Sequence, residues 1–353
     1  MIIRQHINNW LEADNACPMI DMRSPGEFEA GHIPGAQLLP FFSDEERSEI
    51  GTLYKKQGSQ DAVLRGLELI GPRLRALTQR AIELAIDGEV RLHCWRGGNR
   101  SGAAAQVFSM AGLTVRVLEG GYKAYRAYAH AEMANPHPPL VVLAGPTGSG
   151  KTLVLQALKE KGQQVIDLEM LANHKGSAFG WIAEKPQLTN EQFENQVFEV
   201  YRQLDPSQPV WLEDESRGIG LNFIPESLWE RMKTAPRLYI SLPNEQRKAY
   251  LVDAYGQFPQ EDLARSFGRI RKRLGGQHVQ RAVEALECGD LALAAEIALT
   301  YYDKTYQHSL ERHGKAGYTP VEFRVLNPPA MADVLIERVS HSSFFSSPTT
   351  DFQ

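Results

Sequence analysis

Apolar positions along this chain follow two rhythms. Short unbroken runs, such as Leu140-Val-Val-Leu-Ala144, have the pattern of strands buried on both faces of a parallel sheet. Longer stretches repeat every three or four residues. From Arg73 to Ala85, Leu74, Leu77, Ala81, Leu84 and Ala85 share one helical face. Asp87-Gly88 closes that helix, and the pattern then predicts a strand over 89–93, an alanine-rich helix over 101–111 ended by Gly112, and a strand over 114–118. Residues 17–21 read as a short buried strand ending in an acid. After Ala144 come predicted strands over 209–212 and 237–242, then helical stretches over 261–274 and 279–306. Strands alternating with helices predict an α/β fold with parallel sheets and, here, a helical extension.

The rhythm breaks at His130–Pro139, where three of ten residues are proline. Proline fixes φ and removes a backbone donor, so this stretch reads as an extended linker. The division that follows is a domain over 1–130, a linker over 131–139, a second domain with the helical extension over 140–340, and a Ser/Thr-rich, poorly ordered tail over 341–353. Two domains also suit 353 residues at roughly 150 per domain. With 42% hydrophobic and 23% charged residues the composition is that of a soluble protein, and no apolar run approaches the ~18 residues of a membrane span. Met1–Trp10 lacks the apolar core of a signal peptide, and Cys17, Cys94 and Cys288 are too few for a disulfide framework. A cytoplasmic location with no membrane partner is the expectation. The net charge of −5 argues against a uniformly basic nucleic-acid binder but leaves room for a local basic strip.

Cys94 ends a predicted strand and opens Cys94-Trp-Arg-Gly-Gly-Asn-Arg100, just before a helix. A thiolate is stabilised by a helix N-terminus and by nearby cations. Gly97 and Gly98 allow a tight loop whose N–H groups converge, and Arg96 and Arg100 add positive charge, so the segment 94–100, including Trp95 and Asn99, predicts an anion cradle around the sulfur. The competing reading is a buried, inert structural cysteine. Cys17 and Cys288 lack such surroundings and read as structural.

Gly145-Pro-Thr-Gly-Ser-Gly-Lys151-Thr152 fits GxxxxGK[ST] between an apolar strand and a helix, the context in which that loop cradles phosphate. Gly145, Gly148, Ser149 and Gly150 would supply the backbone, Lys151 the charge, and Thr152 a ligand for Mg²⁺. The acids at the end of the 209–212 strand, Glu213, Asp214 and Glu215, are candidates for a metal-side carboxylate, with Glu213 or Asp214 favoured. The motif specifies phosphate, not ATP. Further on, Arg265, Arg269, Arg271, Lys272, Arg273 and Arg281 concentrate positive charge on an acidic chain. Arg269, Arg271, Lys272 and Arg273 are the candidate nucleic-acid contacts, against the alternative of a solvated helix face. Tyr301, Tyr302 and Tyr306 fit packing better than base stacking.

Asp21-Met-Arg-Ser-Pro-Gly-Glu-Phe-Glu-Ala-Gly-His-Ile-Pro-Gly-Ala36, the cysteine loop and Gly120-Gly121-Tyr122 together resemble rhodanese (sulfurtransferase) domains. The resemblance implies a cysteine that carries sulfur or selenium, with Asp21 and Arg23 structural. A rhodanese-like domain followed by a P-loop NTPase-like domain, together with Asp167-Leu-Glu169, His174-Lys-Gly-Ser-Ala-Phe-Gly180 and Glu213-Asp-Glu-Ser216, resembles the tRNA 2-selenouridine synthases over nearly the whole chain. Met22 and Asn99 depart slightly from that pattern. The resemblance implies conversion of wobble 2-thiouridine to 2-selenouridine: S-geranylation from geranyl diphosphate, then replacement of the geranylated sulfur by selenium from selenophosphate. It implies no permanent cofactor, a thiolated tRNA as partner, and an enzyme that supplies selenophosphate. A second reading is a nucleotide-dependent kinase or switch whose rhodanese module only binds a partner. A plain thiosulfate sulfurtransferase with an NTPase appendage is a third.

Overall fold

The computed structural model describes residues 1–12, 17–313 and 318–340, the side chains of 307–313 excepted. The expected tail lies outside the described residues. The chain forms two compact units, 1–133 with 194–199, and 134–193 with 200–353.

The first unit is built on five parallel strands: β1 (Ile2–Gln5), β2 (Met19–Asp21), β3 (Gln37–Leu38), β4 (Glu89–His93) and β5 (Thr114–Leu118), in the order β1-β5-β4-β2-β3. Strands β4 and β5, both inside the sheet, are ones whose alternation of apolar and polar residues is clear in the sequence. Val90, Leu92, Val115 and Val117 join Ile20, Ala105 and Phe108 in one buried core. Strand β1 was not drawn from the pattern. It is an edge strand of four residues, held by its register with β5 (Ile2 opposite Val115) more than by its own apolar content. Helices Asp44–Lys56 and Ser59–Ile70 add a layer that places Phe42 and Ile70 in the same core. The first starts at a capping box, in which Ser43 Oγ accepts from Glu46 N and Ser43 N donates to the Glu46 carboxylate.

The linker expectation needs correction. Helix Gly121–Ala134 occupies 131–134 as its last turn. His-Ala-Glu-Met-Ala is helix-compatible, and only Pro136 forbids continuation, so the non-helical stretch is confined to 135–139.

The second unit carries β6 (Leu140–Ala144), β7 (Gln164–Ile166), β8 (Val210–Glu213), a small hairpin of β9 (Gly218–Ile219) and β10 (Asn222–Phe223), β11 (Arg237–Ser241) and β12 (Tyr318–Glu322). Its main sheet runs β12-β11-β6-β8-β7, all parallel, with fully buried β6 in the middle. Strand β12 escaped the sequence reading because it contains Pro320 and is largely exposed. At a sheet edge a proline costs no ladder bond. The helical extension is more broken than expected: Gln260–Arg269, Arg271–Leu274, Gly276–Glu287 and Leu291–His313. Gly275 (φ +98°) and Gly289 (φ +76°) make the breaks. Leu263, Phe267, Ala282, Leu286 and Ala298 of these helices form a core of their own with Phe179 and Ile182, distinct from the core of the sheet.

Candidate active site and phosphate loop

Strand β4 delivers Cys94 to the carboxyl edge of its sheet, and helix Asn99–Met110 starts five residues later. Two glycines hold the intervening loop. A Cβ on Gly121 (φ +59°) would lie 2.2 Å from Cys94 O and 2.4 Å from Gly97 N, and one on Gly97 (φ +62°) would lie 2.4 Å from Leu118 O. No side chain fits at either position. The interlock is closed by Tyr122 N donating to Cys94 O (2.8 Å) and Lys123 N to Trp95 O (3.0 Å). The loop is therefore held by backbone contacts from the start of helix Gly121–Ala134.

The Cys94 thiol is only 3% exposed, with Sγ 3.2 Å from Ser101 Oγ in the first turn of the helix. It is not sealed in, however. Cys94, Trp95, Arg96, Gly98, Asn99 and Arg100 line a cavity of about 770 Å³. The far walls are apolar, from Phe41, Phe42, Ile50 and Leu67, and Arg47, Lys55 and Arg96 bring positive charge to it. Arg47 and Lys55 were missed by sequence reasoning. They lie on helix Asp44–Lys56, about forty residues before the cysteine, with nothing local to connect them to it.

Arg100, expected to add charge to the cradle, lines the same cavity and is engaged there by an acid. Its guanidinium is bound to Glu27, with Nη1 donating to Oε2 at 2.5 Å and Nη2 to Oε1 at 3.2 Å. Burial opposes the charge on Glu27, but Arg100 and the Ser24 N–H outweigh it and hold the carboxyl down at about 2. This neutralises much of the Arg100 charge and leaves Arg96, exposed, as the loop cation available to an anion. Asp21 and Arg23 are structural, as expected. Both are fully buried and paired at 2.7 Å, Arg23 also donates to Gly31 O (2.6 Å), and its guanidinium lies 3.8 Å from the centre of the Tyr122 ring. His93 stands 3.7 Å from Asp21, and burial pushes its imidazole down to about 4, so it is neutral at physiological pH.

In the second unit, strand β6 ends at Ala144 and helix Lys151–Glu160 begins after the loop 145–150. Gly148 (φ +81°) and Gly150 (φ +75°) adopt the left-handed conformation that curls the loop around the helix N-terminus. Gly145 N donates to Tyr306 Oη (3.0 Å), Arg247 Nε donates to Thr147 O (2.9 Å), and Lys151 Nζ is folded back onto Gly145 O (2.9 Å). The Ser149 hydroxyl is buried with no hydrogen-bond partner among the described residues.

The carboxylate beside Thr152 is Glu169, whose Oε2 accepts from Thr152 Oγ1 at 3.0 Å, and not Glu213 or Asp214. Glu213 is the last residue of β8. Its side chain is fully buried, with Oε2 accepting from Leu168 N at 3.1 Å. Asp214 is engaged by Arg237 Nε (3.3 Å) and Tyr306 Oη (3.5 Å). Burial, Asp167 and Glu169 push Glu213 well above the carboxylate range. Burial and Glu169 push Glu215 up to about 8. Glu169 is raised too, by burial against the opposing pull of Lys151.

Of the basic strip, Arg271, Lys272 and Arg273 are exposed together on one short helix. Arg269 is also exposed, but its guanidinium lies 4.6 Å from the centre of the Trp181 ring. The tyrosines pack, as expected: Tyr302 Oη accepts from Ala178 N (3.1 Å), and Tyr306 braces the phosphate loop.

Two outcomes follow. Ala at Gly112 (φ +96°, open space) carries only left-handed strain, about 1–2 kcal/mol, whereas Ala at Gly121 adds overlap with the Cys94 carbonyl and should cost at least about 2 kcal/mol more. Urea unfolding of both variants checks this, and equal costs would refute the interlock. The second concerns acid stability. A carboxyl depressed to about 2 stabilises the fold above its ordinary value of 4.5, and that contribution is lost as pH falls from there toward 2. Glu27→Gln should therefore be less stable than wild type at pH 7, by on the order of 2–3 kcal/mol, with the difference shrinking in melts carried down to pH 3.

The rhodanese-like domain profile matches residues 5–128, and the profile described as tRNA 2-selenouridine synthase AAA domain matches 138–319. The tRNA 2-selenouridine synthase of Sulfurovum sp. (strain NBC37-1) is 34% identical over 336 residues, covering 85% of this chain and 90% of that one. That of Shewanella sp. (strain ANA-3) is 35% identical over 338 residues, with the same coverage. No helix among the described residues is long and apolar enough to cross a membrane. With both domains matched in order and the likeness sustained over most of its length, the chain belongs to the tRNA 2-selenouridine synthase family.

Proposed function

We propose that the chain acts on tRNA bearing wobble 2-thiouridine, alkylating the sulfur with the geranyl group of geranyl diphosphate and then exchanging the alkylated sulfur for selenium from selenophosphate. In the first step the thiocarbonyl sulfur attacks the carbon bearing the diphosphate; a C–S bond forms, the C–O bond breaks and diphosphate leaves. In the second, the selenium of selenophosphate attacks the ring carbon, the sulfur departs with its geranyl chain as a thiol, a far better leaving group than the free thiocarbonyl, and water then cleaves the P–Se bond to release phosphate. One observation carries the reading: a cysteine and a phosphate loop, each at a strand end before a helix N-terminus, on one chain.

The phosphate loop is the site for the diphosphate, where backbone N–H groups and Lys151 stabilise the charge that develops on the leaving group. A magnesium ion fits here. Among the described residues no three His, Cys, Asp or Glu side chains are grouped to hold a metal by themselves. Thr152 and Glu169 would hold it together with substrate phosphate, the usual manner for this ion. Its charge would relieve the crowding of Glu169, Glu213 and Glu215. Cys94 is the residue beside which selenophosphate is held while its selenium is delivered to the ring carbon. Arg96, with Arg47 and Lys55 across the cavity, attracts anionic selenophosphate supplied by a separate enzyme. Arg271, Lys272 and Arg273, with Arg269 beside Trp181, contact the tRNA backbone.

The division of labour predicts separable defects. Nucleoside mass spectrometry of thiolated tRNA incubated with both donors should find geranylated uridine accumulating with Cys94→Ser. Lys151→Ala should reduce geranylation at least a hundredfold. A Cys94→Ser enzyme that blocked both steps equally would defeat the assignment.

A further inference from the structure

Several surface arginines of this chain lie against acids: Arg65 with Glu49 and Glu68, Arg73 with Glu46, Arg80 with Glu83. Over 269–273 that matching stops. Arg269, Arg271, Lys272 and Arg273 are all exposed, and among the described residues none of them has an ion pair; the pair before them on the chain is Arg265 with Asp262, at 3.6 Å. What Arg269 has instead is an aromatic partner. Its guanidinium carbon lies 4.6 Å from the centre of the Trp181 ring, and that of Arg265, one helical turn earlier, lies 5.4 Å from the same ring. Trp181 is half-buried and anchored: its Nε1 donates to Ser266 Oγ (3.0 Å), and the fully buried Ser266 donates to Asp262 O (3.0 Å). The indole's one donor is thus used within the protein, which leaves its π-surface for other partners. The segment that carries it starts beside the phosphate loop. His174 N donates to Glu169 O (3.0 Å), a Cβ on Gly176 would lie 2.5 Å from Glu215 Oε2, and Lys175 N donates to Gly180 O (3.0 Å), closing the turn that Trp181 follows.

An indole under an arginine, beside cations that no acid neutralises, fits single-stranded RNA. Unpaired bases stack on aromatic rings and guanidinium planes, and a base's π-face asks for no hydrogen bond. The edge and the face of a guanidinium are separate surfaces, so Arg269 can bond a phosphate oxygen and stack at once. Arg271, Lys272 and Arg273 supply charge for the adjoining backbone. A double helix, whose bases are already stacked, meets the same strip through phosphates alone. We infer that Trp181 and Arg269 form a stacking platform for an unpaired base of the tRNA anticodon loop, so that this surface favours looped over paired RNA. This rests on the reading that the substrate is tRNA thiolated at the wobble position, which lies in that loop. It adds a residue, Trp181, that belongs to neither the cysteine loop nor the phosphate loop.

Fluorescence anisotropy of the full chain with a thiolated anticodon stem-loop, and with a fully paired RNA duplex of equal length, tests it. Wild type should bind the stem-loop more tightly. Trp181→Ala should weaken stem-loop binding by about fivefold or more, the lower end of what one stacked base contributes, and duplex binding by less than about twofold. Arg269→Lys, which keeps the charge and loses the plane, should weaken the stem-loop and spare the duplex in the same way. Both variants should keep the wild-type slope of log affinity against log salt, whereas Lys272→Ala should reduce that slope by about one. Trp181→Phe guards against a folding defect: it should keep the preference for the stem-loop and diminish the quenching of tryptophan fluorescence that stem-loop binding produces in wild type. Equal losses for the two RNAs would overturn the inference, as would no loss in either Trp181→Ala or Arg269→Lys, or undiminished quenching in Trp181→Phe. The reading of the basic strip as a backbone contact fails separately, if Lys272→Ala binds both RNAs with wild-type affinity and salt slope.

Discussion

Both candidate sites depend on the same constraint: a buried parallel strand must end, turn, and hand the chain to a helix within a few residues. A parallel sheet puts every such turn at its carboxyl edge, and each following helix presents unpaired N–H groups there. In the first unit the strand is β4, the turn holds Cys94, and the helix begins at Asn99. In the second the strand is β6, the turn is 145–150, and the helix begins at Lys151. The chemistry differs because of what occupies the turn: sulfur in one, only amides and a lysine in the other. Glycine is required in both, for different reasons. Gly97 and Gly121 are required by contact, since backbone atoms stand where their side chains would be. Gly148 and Gly150 are required by conformation, at φ +81° and +75°.

The electrostatics of the two turns are opposed. Around Cys94, Glu27 cancels much of Arg100 and also reaches Arg47 at 3.5 Å, which leaves the attraction mainly to Arg96 and Lys55 of the cavity lining. Around Lys151 the reverse holds: burial, and with it the charge of Glu169, raises both Glu213 and Glu215. A diphosphate entering such a place meets repulsion unless the acids are protonated or a cation intervenes. Glu215, at about 8, is largely protonated at neutral pH, which removes part of that repulsion without metal. The acidic wall is thus compatible with an anionic ligand, and the same wall gives a divalent cation a reason to accompany it.

How much of this could be read from the sequence follows from how local each feature is. The strand over 140–144 was legible because a doubly covered strand is apolar throughout, and those over 89–93 and 114–118 because valine and leucine alternate there with polar residues. The cysteine loop and the phosphate loop were legible because glycine, lysine and cysteine act within a few residues of one another. Edge strands β1 and β12 were not, because their partners, not their composition, make them strands. Nor was the capture of Arg100 by Glu27, 73 residues away, or the pairing of Thr152 with Glu169. Glu213, one of the acids expected on the metal side, is fully buried with Oε2 accepting from Leu168 N, a contact 45 residues away along the chain that no local pattern announces.

A phosphate-loop motif specifies a ligand's head and not its tail. A phosphate loop recognises charge through backbone amides, and any residue compatible with the turn will serve. Whatever is attached to the phosphate must be recognised by side chains brought there by the rest of the fold. In this chain the apolar side chains beside Thr147 come from the helices that follow β11, broken at Gly275 and Gly289, and from Phe179. The breaks let the helices fold back on one another rather than run as long rods, so that their apolar faces close around a space beside Thr147. The resulting cavity is small and lined mainly by apolar side chains, a consequence of the same packing that makes the helical extension's own core.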